Sequence, residues 1–239
     1  MSPATLNIDT TTGGPGQPRA LAIYTDLDGS LLDHHTYSHA AADPLLAELE
    51  QCHIPVIPCT SKTRAELLAL RQELDNDHPF IIENGAAVCI PEGYLPAAPE
   101  GCTVADGLWI KTLVAPRRHW LALLAQVGAP WAGSYRSFAA LSEAEIATLT
   151  GLAPAAAARA AQREYGEPVH WQGSARAQEA FVQALRAAGA EVLQGGRFLH
   201  VSGSCDKGQA LRWLNARLAV RTGGQVPVSI AVGDSQNDI

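Results

Sequence analysis

From Ala20 onward, short wholly apolar runs alternate with segments whose apolar residues recur at helical spacing. Leu21–Thr25 reads as a strand, and Asp43–Gln51 as a helix with Leu45, Leu46 and Leu49 on one face. Ile54–Cys59 predicts a second strand and Thr63–Leu74 a second helix. Thr63, followed three residues later by Glu66, has the form of a capping box at that helix start. Phe80–Ile82 opens a third strand that ends in Glu83-Asn84-Gly85. Strands of this buried type, alternating with helices, predict an α/β fold with a doubly wound parallel sheet.

The rhythm then changes. Cys89–Leu113 reads as short β-segments broken by Pro and Gly turns. Between Ala115 and Gly196 the chain turns Ala-rich and reads as mainly helical, with capped helices near Ser142-Glu145 and over Pro154–Arg163. A strand–helix pattern resumes over Arg197–Ser202, Lys207–Leu218 and Val228–Val232. The simplest organisation is an α/β core over 19–113 and 198–239, interrupted by an inserted second domain over 114–197. Residues 1–18, rich in Ser, Thr, Gly and Pro, predict a disordered tail.

Composition narrows the function classes. A net charge of −7 argues against a general nucleic-acid binder, which is normally basic. It also requires that any anionic substrate meet a locally positive pocket. Five cysteines, odd in number and without C-x-x-C spacing, fit a reducing compartment better than a disulfide or zinc framework. No membrane-length apolar stretch or signal-peptide pattern is evident, so the expected location is cytoplasmic. Oligomeric state is not legible in the chain.

Four clusters carry chemistry, each at a predicted strand end. Asp26 and Asp28 flank one residue and precede Gly29; carboxylates that close repel unless a cation or a shared proton intervenes. A solvated turn is the plainer reading of Asp-x-Asp-Gly taken alone. In Cys59-Thr60-Ser61-Lys62-Thr63, hydroxyls and free N–H groups next to a helix start can hold a phosphate oxygen. Thr63 is spoken for as a cap, which leaves Thr60 as the better phosphate contact, with Ser61 and Lys62 beside it. Lys207 falls in the first turn of a helix that Asp206 caps, where the dipole disfavours a cation unless an anion is near. Gly233-Asp234-Ser235-Gln236-Asn237-Asp238 follows Ile230–Val232 and adds carboxylates that could complete a hard-cation site with Asp26. His34 and His35 lack metal-ligand spacing and read as loop residues near the site.

The order Asp-x-Asp, Thr/Ser, Lys, Gly-Asp-x-x-Asn-Asp resembles the four signature motifs of haloacid dehalogenase superfamily phosphatases. Within that superfamily the chain is most similar to the mannosyl-3-phosphoglycerate phosphatases. TDLDGSLLDHHTYS (25–38), CTSKTRAE (59–66), PFIIENGAAV (79–88), QREYGEP (162–168) and GGRFLHVSGSCDKGQA (195–210) carry the likeness, which runs from about Ala20 to the last residue. The resemblance implies a Rossmann-like core and, over 114–197, an inserted α+β cap that closes over the site and reads the leaving group. Asp26 would be the nucleophile and Asp28 the general acid/base, while Thr60 and Lys207 cradle the transferring oxygens. Mg²⁺ would be held by Asp26, the Asp28 carbonyl and Asp234, with Asp238 helping through a water or from further out. Asn237 would orient Lys207 or Asp234. Asn84 and Gly85 would lie near the sugar, and Arg163 and Arg197 would suit a glycerate carboxylate, which a guanidinium can grip bidentately.

Ser30 stands where the family usually has threonine. The resemblance also implies a further helix and strand after Asp238, whereas the chain stops at Ile239. A missing helix and strand would leave Val228–Val232 with an uncovered flank and Asp238 on a fraying terminus. The alternatives are a sugar-phosphate phosphatase of broader range and a weakly active relative that only binds phosphorylated ligands. A signalling receiver module fits less well, because it lacks Asp28 and a cap.

Overall fold

A computed structural model of the chain describes residues 20–34 and 36–234. The expected tail over 1–18, His35, Asn237 and Asp238 lie outside the described residues. β1 (Leu21–Thr25) lies between β2 (Val56–Pro58) and β11 (Val228–Val232) and is parallel to both. Helix α1 (Asp43–Gln51) crosses from β1 to β2, and α2 (Arg64–Glu73) from β2 to β3 (Phe80–Ile82). A parallel bridge between Cys59 and Ile81 joins β3 to the end of β2. β4 (Ala87–Pro91), β5 (Thr103–Ala105) and β6 (Leu108–Thr112) extend the layer by antiparallel pairing in the order β3-β4-β6-β5.

Both faces of this layer are covered from β1 to β4, whereas β11 is exposed along its length, as the expected uncovered flank implies. On one, Ala22, Tyr24, Ile57, Ile81 and Val88 pack against Ala210, Leu214 and Leu218 of α7 (Lys207–Leu218). On the other, Phe80, Ile82 and Cys89 pack with Leu67 of α2. Two-sided burial is why these strands read as unbroken apolar runs. The expected capping box is present: the Thr63 side chain takes the Glu66 N–H, and Glu66 returns the bond to the Thr63 N–H.

The inserted segment departs from its mainly helical reading. It holds helices α3 (Arg117–Val127), α4 (Glu143–Thr150), α5 (Pro154–Ala160) and α6 (Ala175–Ala187). It also holds strands β7 (Tyr135–Ser137), β8 (Glu167–Trp171) and β9 (Glu191–Gly195). With β10 (Phe198–Ser202) these strands form an antiparallel sheet in the order β7-β8-β10-β9. Alanine's helix preference dominates the local sequence signal here, whereas strand formation depends on cross-strand packing that a local reading does not see.

The expected return to the core at 198 is corrected by the same sheet. β10 sits between β8 and β9, and the 197/198 boundary cuts a hairpin at its two-residue turn, Gly196-Arg197. Gly196 has φ 54°, which the turn requires. Strict alternation in β10 gives the assignment a physical basis. Leu199 and Val201 are buried with Trp120, Leu124, Phe181 and Leu185, while Phe198, His200 and Ser202 are only partly buried.

Helix α5 stops at Ala160 rather than at Arg163, and the residues after it form a loop against the core. Glu167, at the start of β8, is fully buried; Arg117 Nε donates to it at 2.5 Å and the Ala139 N–H at 2.8 Å. Removing one partner of a buried ion pair leaves an uncompensated charge. Arg117→Ala is therefore expected to cost about 3–5 kcal/mol of unfolding free energy, measured by urea denaturation.

Candidate active site

The site begins where β1 stops. The Asp26 N–H still pairs with the Val232 carbonyl at 2.8 Å, continuing the β1–β11 ladder by one residue. The chain then turns back on itself: Ser30 N–H and Leu32 N–H both donate to the Leu27 carbonyl, at 3.2 and 2.8 Å. Leu27 is fully buried in the cluster that includes Phe80, Ile82 and Tyr165. Leu27 is thereby anchored in the core between two carboxylates that each meet a different element.

Each acidic neighbour meets a lysine from elsewhere. Lys207 Nζ lies 2.6 Å from Asp26 Oδ1, with both side chains nearly buried. Asp206 caps α7 by accepting the Gln209 N–H at 2.6 Å, which sets Lys207 as the first helical residue. Its contact with Asp26 supplies the anion that a cation in the first helical turn calls for. Lys62 Nζ reaches Asp28 Oδ2 at 2.8 Å and also lies over the Tyr37 ring. Asp28 Oδ1 is buried with no hydrogen-bond partner among the described residues.

Thr60, 1% exposed, follows β2 at the same end of the sheet. Its hydroxyl accepts the Lys62 N–H at 3.2 Å, and its carbonyl accepts the Asn84 N–H at 2.9 Å. The Ser61 carbonyl accepts from Arg163 Nη2 at 3.1 Å. After β3, three consecutive residues take left-handed backbone angles: Glu83 (φ 47°), Asn84 (φ 61°) and Gly85 (φ 90°). Asn84 Oδ1 is a second buried acceptor without a partner among the described residues. A Cβ at Gly85 would lie 2.6 Å from the Asp206 carbonyl carbon and 3.0 Å from the Lys207 nitrogen, so glycine lets α7 approach the end of β3.

The remaining expected residues divide by location. Asp234 follows β11, and its Oδ2 sits against Gly29 so closely that a Cβ there would collide with it. That contact brings a third carboxylate onto the turn that carries Asp26 and Asp28. Arg197 lies instead on the β9–β10 turn and donates to the Leu149 carbonyl at the end of α4, at 3.0 Å. No group of three or more His, Cys, Asp or Glu side chains forms a metal cluster among the described residues. The side-chain donors at the turn are all oxygens, the carboxylates of Asp26, Asp28 and Asp234, a chemistry that suits a hard cation such as Mg²⁺.

Three further groups near the site carry no local sequence signal: Cys205, His200 and the Glu83 carboxylate. Burial, and then the neighbouring Asp206 carboxylate, push the Cys205 thiol up to about 11, so it is not a thiolate nucleophile at neutral pH. Burial, with the Arg163 cation nearby, lowers the His200 imidazole to about 4 and keeps it neutral at pH 7. Glu83, described above for its backbone, has a carboxylate buried against the inserted unit; no local motif marks it, because its partners are main-chain groups some 80 residues away.

Residues 23–95 match the haloacid dehalogenase-like hydrolase family. A glucosyl-3-phosphoglycerate/mannosyl-3-phosphoglycerate phosphatase of Methanococcoides burtonii is 36% identical over 217 residues, 91% of this chain and 79% of that protein. The protein of the same name from Persephonella marina is 32% identical, over 92% of this chain and 80% of its own length. The crystal structure of a haloacid dehalogenase-like hydrolase from Bacteroides thetaiotaomicron shares the fold, with a TM-score of 0.64 at 17% identity. That likeness spans 92% of this chain and 84% of that one.

Backbone-on-backbone contact at Gly85 leaves no side chain to move aside. Gly85→Ala is expected to displace the start of α7 and destabilise the protein by about 1–3 kcal/mol. A lowered Tm together with a reduced kcat would register both effects.

Proposed function

The chain belongs to the haloacid dehalogenase-like hydrolase family and is a phosphatase, and on that premise we propose that it hydrolyses mannosyl-3-phosphoglycerate, or its glucosyl counterpart. The products are phosphate and the glycosylglycerate, a compatible solute. The observation that carries the reaction class is the Asp26–Lys207 contact at 2.6 Å beside Asp28, whose Oδ1 is buried and unpaired among the described residues. The substrate rests on the name that both relatives bear and on their coverage of over nine-tenths of this chain, inserted unit included.

Asp26 attacks phosphorus in line, forming an aspartyl-phosphate as the bond to the sugar-acid oxygen breaks. Asp28 donates a proton to the departing alkoxide. It then takes one from the water that attacks phosphorus, which frees phosphate and returns Asp26 to its starting form. Lys207 already touches Asp26 and so can bridge the nucleophile and the transferring oxygens; Thr60 holds the opposite side. Asp26, the Asp28 carbonyl and Asp234 would hold Mg²⁺, with Asp238 in support, and the bound ion supplies neutralisation of the repulsion between nucleophile and phosphate. Asn237 would steady Lys207 or Asp234.

On the leaving-group side, Ser61, Lys62, Asn84 and Gly85 line the approach. The buried Asn84 oxygen offers an acceptor for a sugar hydroxyl. Arg163, bonded to the Ser61 carbonyl, and Arg197, on the β9–β10 turn, are proposed to meet the glycerate carboxylate. Lys62, Lys207 and Arg163, each set against a carboxylate, would together with Mg²⁺ offset the acidic charge of the site and receive an anionic substrate in a chain of net charge −7. All five cysteines are free thiols, which supports a reducing, cytoplasmic setting. Among the described residues no helix is long and apolar enough to cross a membrane.

Phosphate release should be greatest from the two glycosyl-3-phosphoglycerates in a panel that includes simple hexose phosphates. Equal rates across the panel would replace the narrow substrate with a broad sugar-phosphate specificity. Asp26→Asn should lower kcat on the order of 10⁴-fold or more. Activity that survives that change would exclude the aspartyl-phosphate route. Chelation with EDTA should abolish turnover, and added Mg²⁺ should restore it.

A further inference from the structure

Glu83 stands apart from the groups that the reaction uses. It is 4% exposed, directly after β3, in a left-handed conformation that costs a non-glycine residue about 1–3 kcal/mol. Its carboxylate accepts three successive main-chain N–H groups of the loop that leads into β8. These come from Glu164 at 2.7 Å, Tyr165 at 3.2 Å and Gly166 at 2.9 Å. Arg163 Nε lies 3.3 Å from the same carboxylate. The main chain on either side of that carboxylate is tied to the phosphate-side loop, because Glu83 N–H donates to the Lys62 carbonyl and Asn84 N–H to the Thr60 carbonyl.

One residue therefore grips the inserted unit with its side chain and the Thr60–Lys62 loop with its backbone. The neighbouring contacts converge on the same segment. Arg163 Nη2 donates to the Ser61 carbonyl, Arg64 Nε to Glu164 at 2.7 Å, and the Thr63 hydroxyl to the Arg159 carbonyl at 3.0 Å. Tyr165 is buried in the cluster that holds Leu27, the residue between Asp26 and Asp28. From this convergence we infer that Glu83 is a positioning residue: it sets the Arg163–Gly166 segment over the site and so governs the binding of substrates large enough to reach the inserted unit.

A carboxylate can accept all three N–H donors and faces Arg163 with its charge, whereas an amide in its place presents one oxygen and a donor group that meets N–H head on. Glu83→Gln keeps size and shape while breaking this set. The inference rests on the proposed phosphatase reaction only for its kinetic arm; amide hydrogen exchange reads the segment directly. In Glu83→Gln, exchange at 164–166 should rise 10-fold or more. KM for mannosyl-3-phosphoglycerate should rise at least 10-fold, while kcat on p-nitrophenyl phosphate, too small to span to the inserted unit, should stay within about 3-fold.

Unchanged exchange at 164–166, or an equal loss on both substrates, would overturn the assignment. If the wild-type protein fails to turn over either glycosyl-3-phosphoglycerate, the substrate proposal falls and the exchange measurement still decides the role of Glu83. Should Glu83→Gln not fold, Glu83→Asp carries the same readouts, since it keeps the charge but shortens the reach to the N–H groups of 164–166.

Discussion

Negative charge at the carboxyl end of β1 is the constraint around which the rest of the molecule is arranged. Two carboxylates one residue apart repel, and burying either one unpaired is costly. Each is met by a lysine from a different element, Lys207 on α7 and Lys62 on the loop after β2. Those contacts draw the first turn of α7 and the start of α2 toward the same strand end. Gly85 permits the approach of α7, and Gly29 permits that of Asp234. A lysine paired to a carboxylate can also turn to an incoming phosphate, so the interaction that relieves the resting charge suits the site for an anionic substrate.

Glu83 solves a similar problem in a different way. Its buried charge is neutralised by three main-chain N–H groups and a nearby guanidinium rather than by a lysine. Backbone donors belong to the fold and cannot swing to a ligand, so this contact behaves as a joint between the inserted unit and the core. Lys62 and Lys207, at the ends of flexible side chains, behave as exchangeable partners. The two chemistries, fixed and exchangeable, lie within a few residues of each other along the segment 83–85 and the loop 60–62 that it holds.

The site was legible in the chain to an uneven degree. Asp26, Thr60, Lys207 and Asp234 each follow a strand or open a helix, and those ends are marked by local signals: an apolar run that stops, a cap, a glycine. The structure sets all four at one end of the sheet. Arg163 was expected inside a helix, yet α5 ends at Ala160 and Arg163 instead lies against Ser61 and Glu83. Strand β10 reads locally as the return to the core although it joins the second sheet, because a five-residue strand carries no record of its partners. Its alternating burial, set by α3 and α6 on one face only, becomes visible once the sheet is assembled.

The amino-acid sequence by itself determined the order of strands and helices in the core, their caps, and the acidic and basic residues at their ends. These depend on neighbours three or four positions away, through backbone geometry and hydrogen bonds that close locally. Tertiary structure alone decided which lysine meets which carboxylate, that β10 completes the second sheet, and that Glu83 joins the inserted unit to the core. The lysine contacts span 34 and 181 residues of chain, and the pairing of β10 with β8 spans 28 to 34. Charge pairing and cross-strand packing at such separations exist only after the chain has folded back on itself, and no local pattern records them.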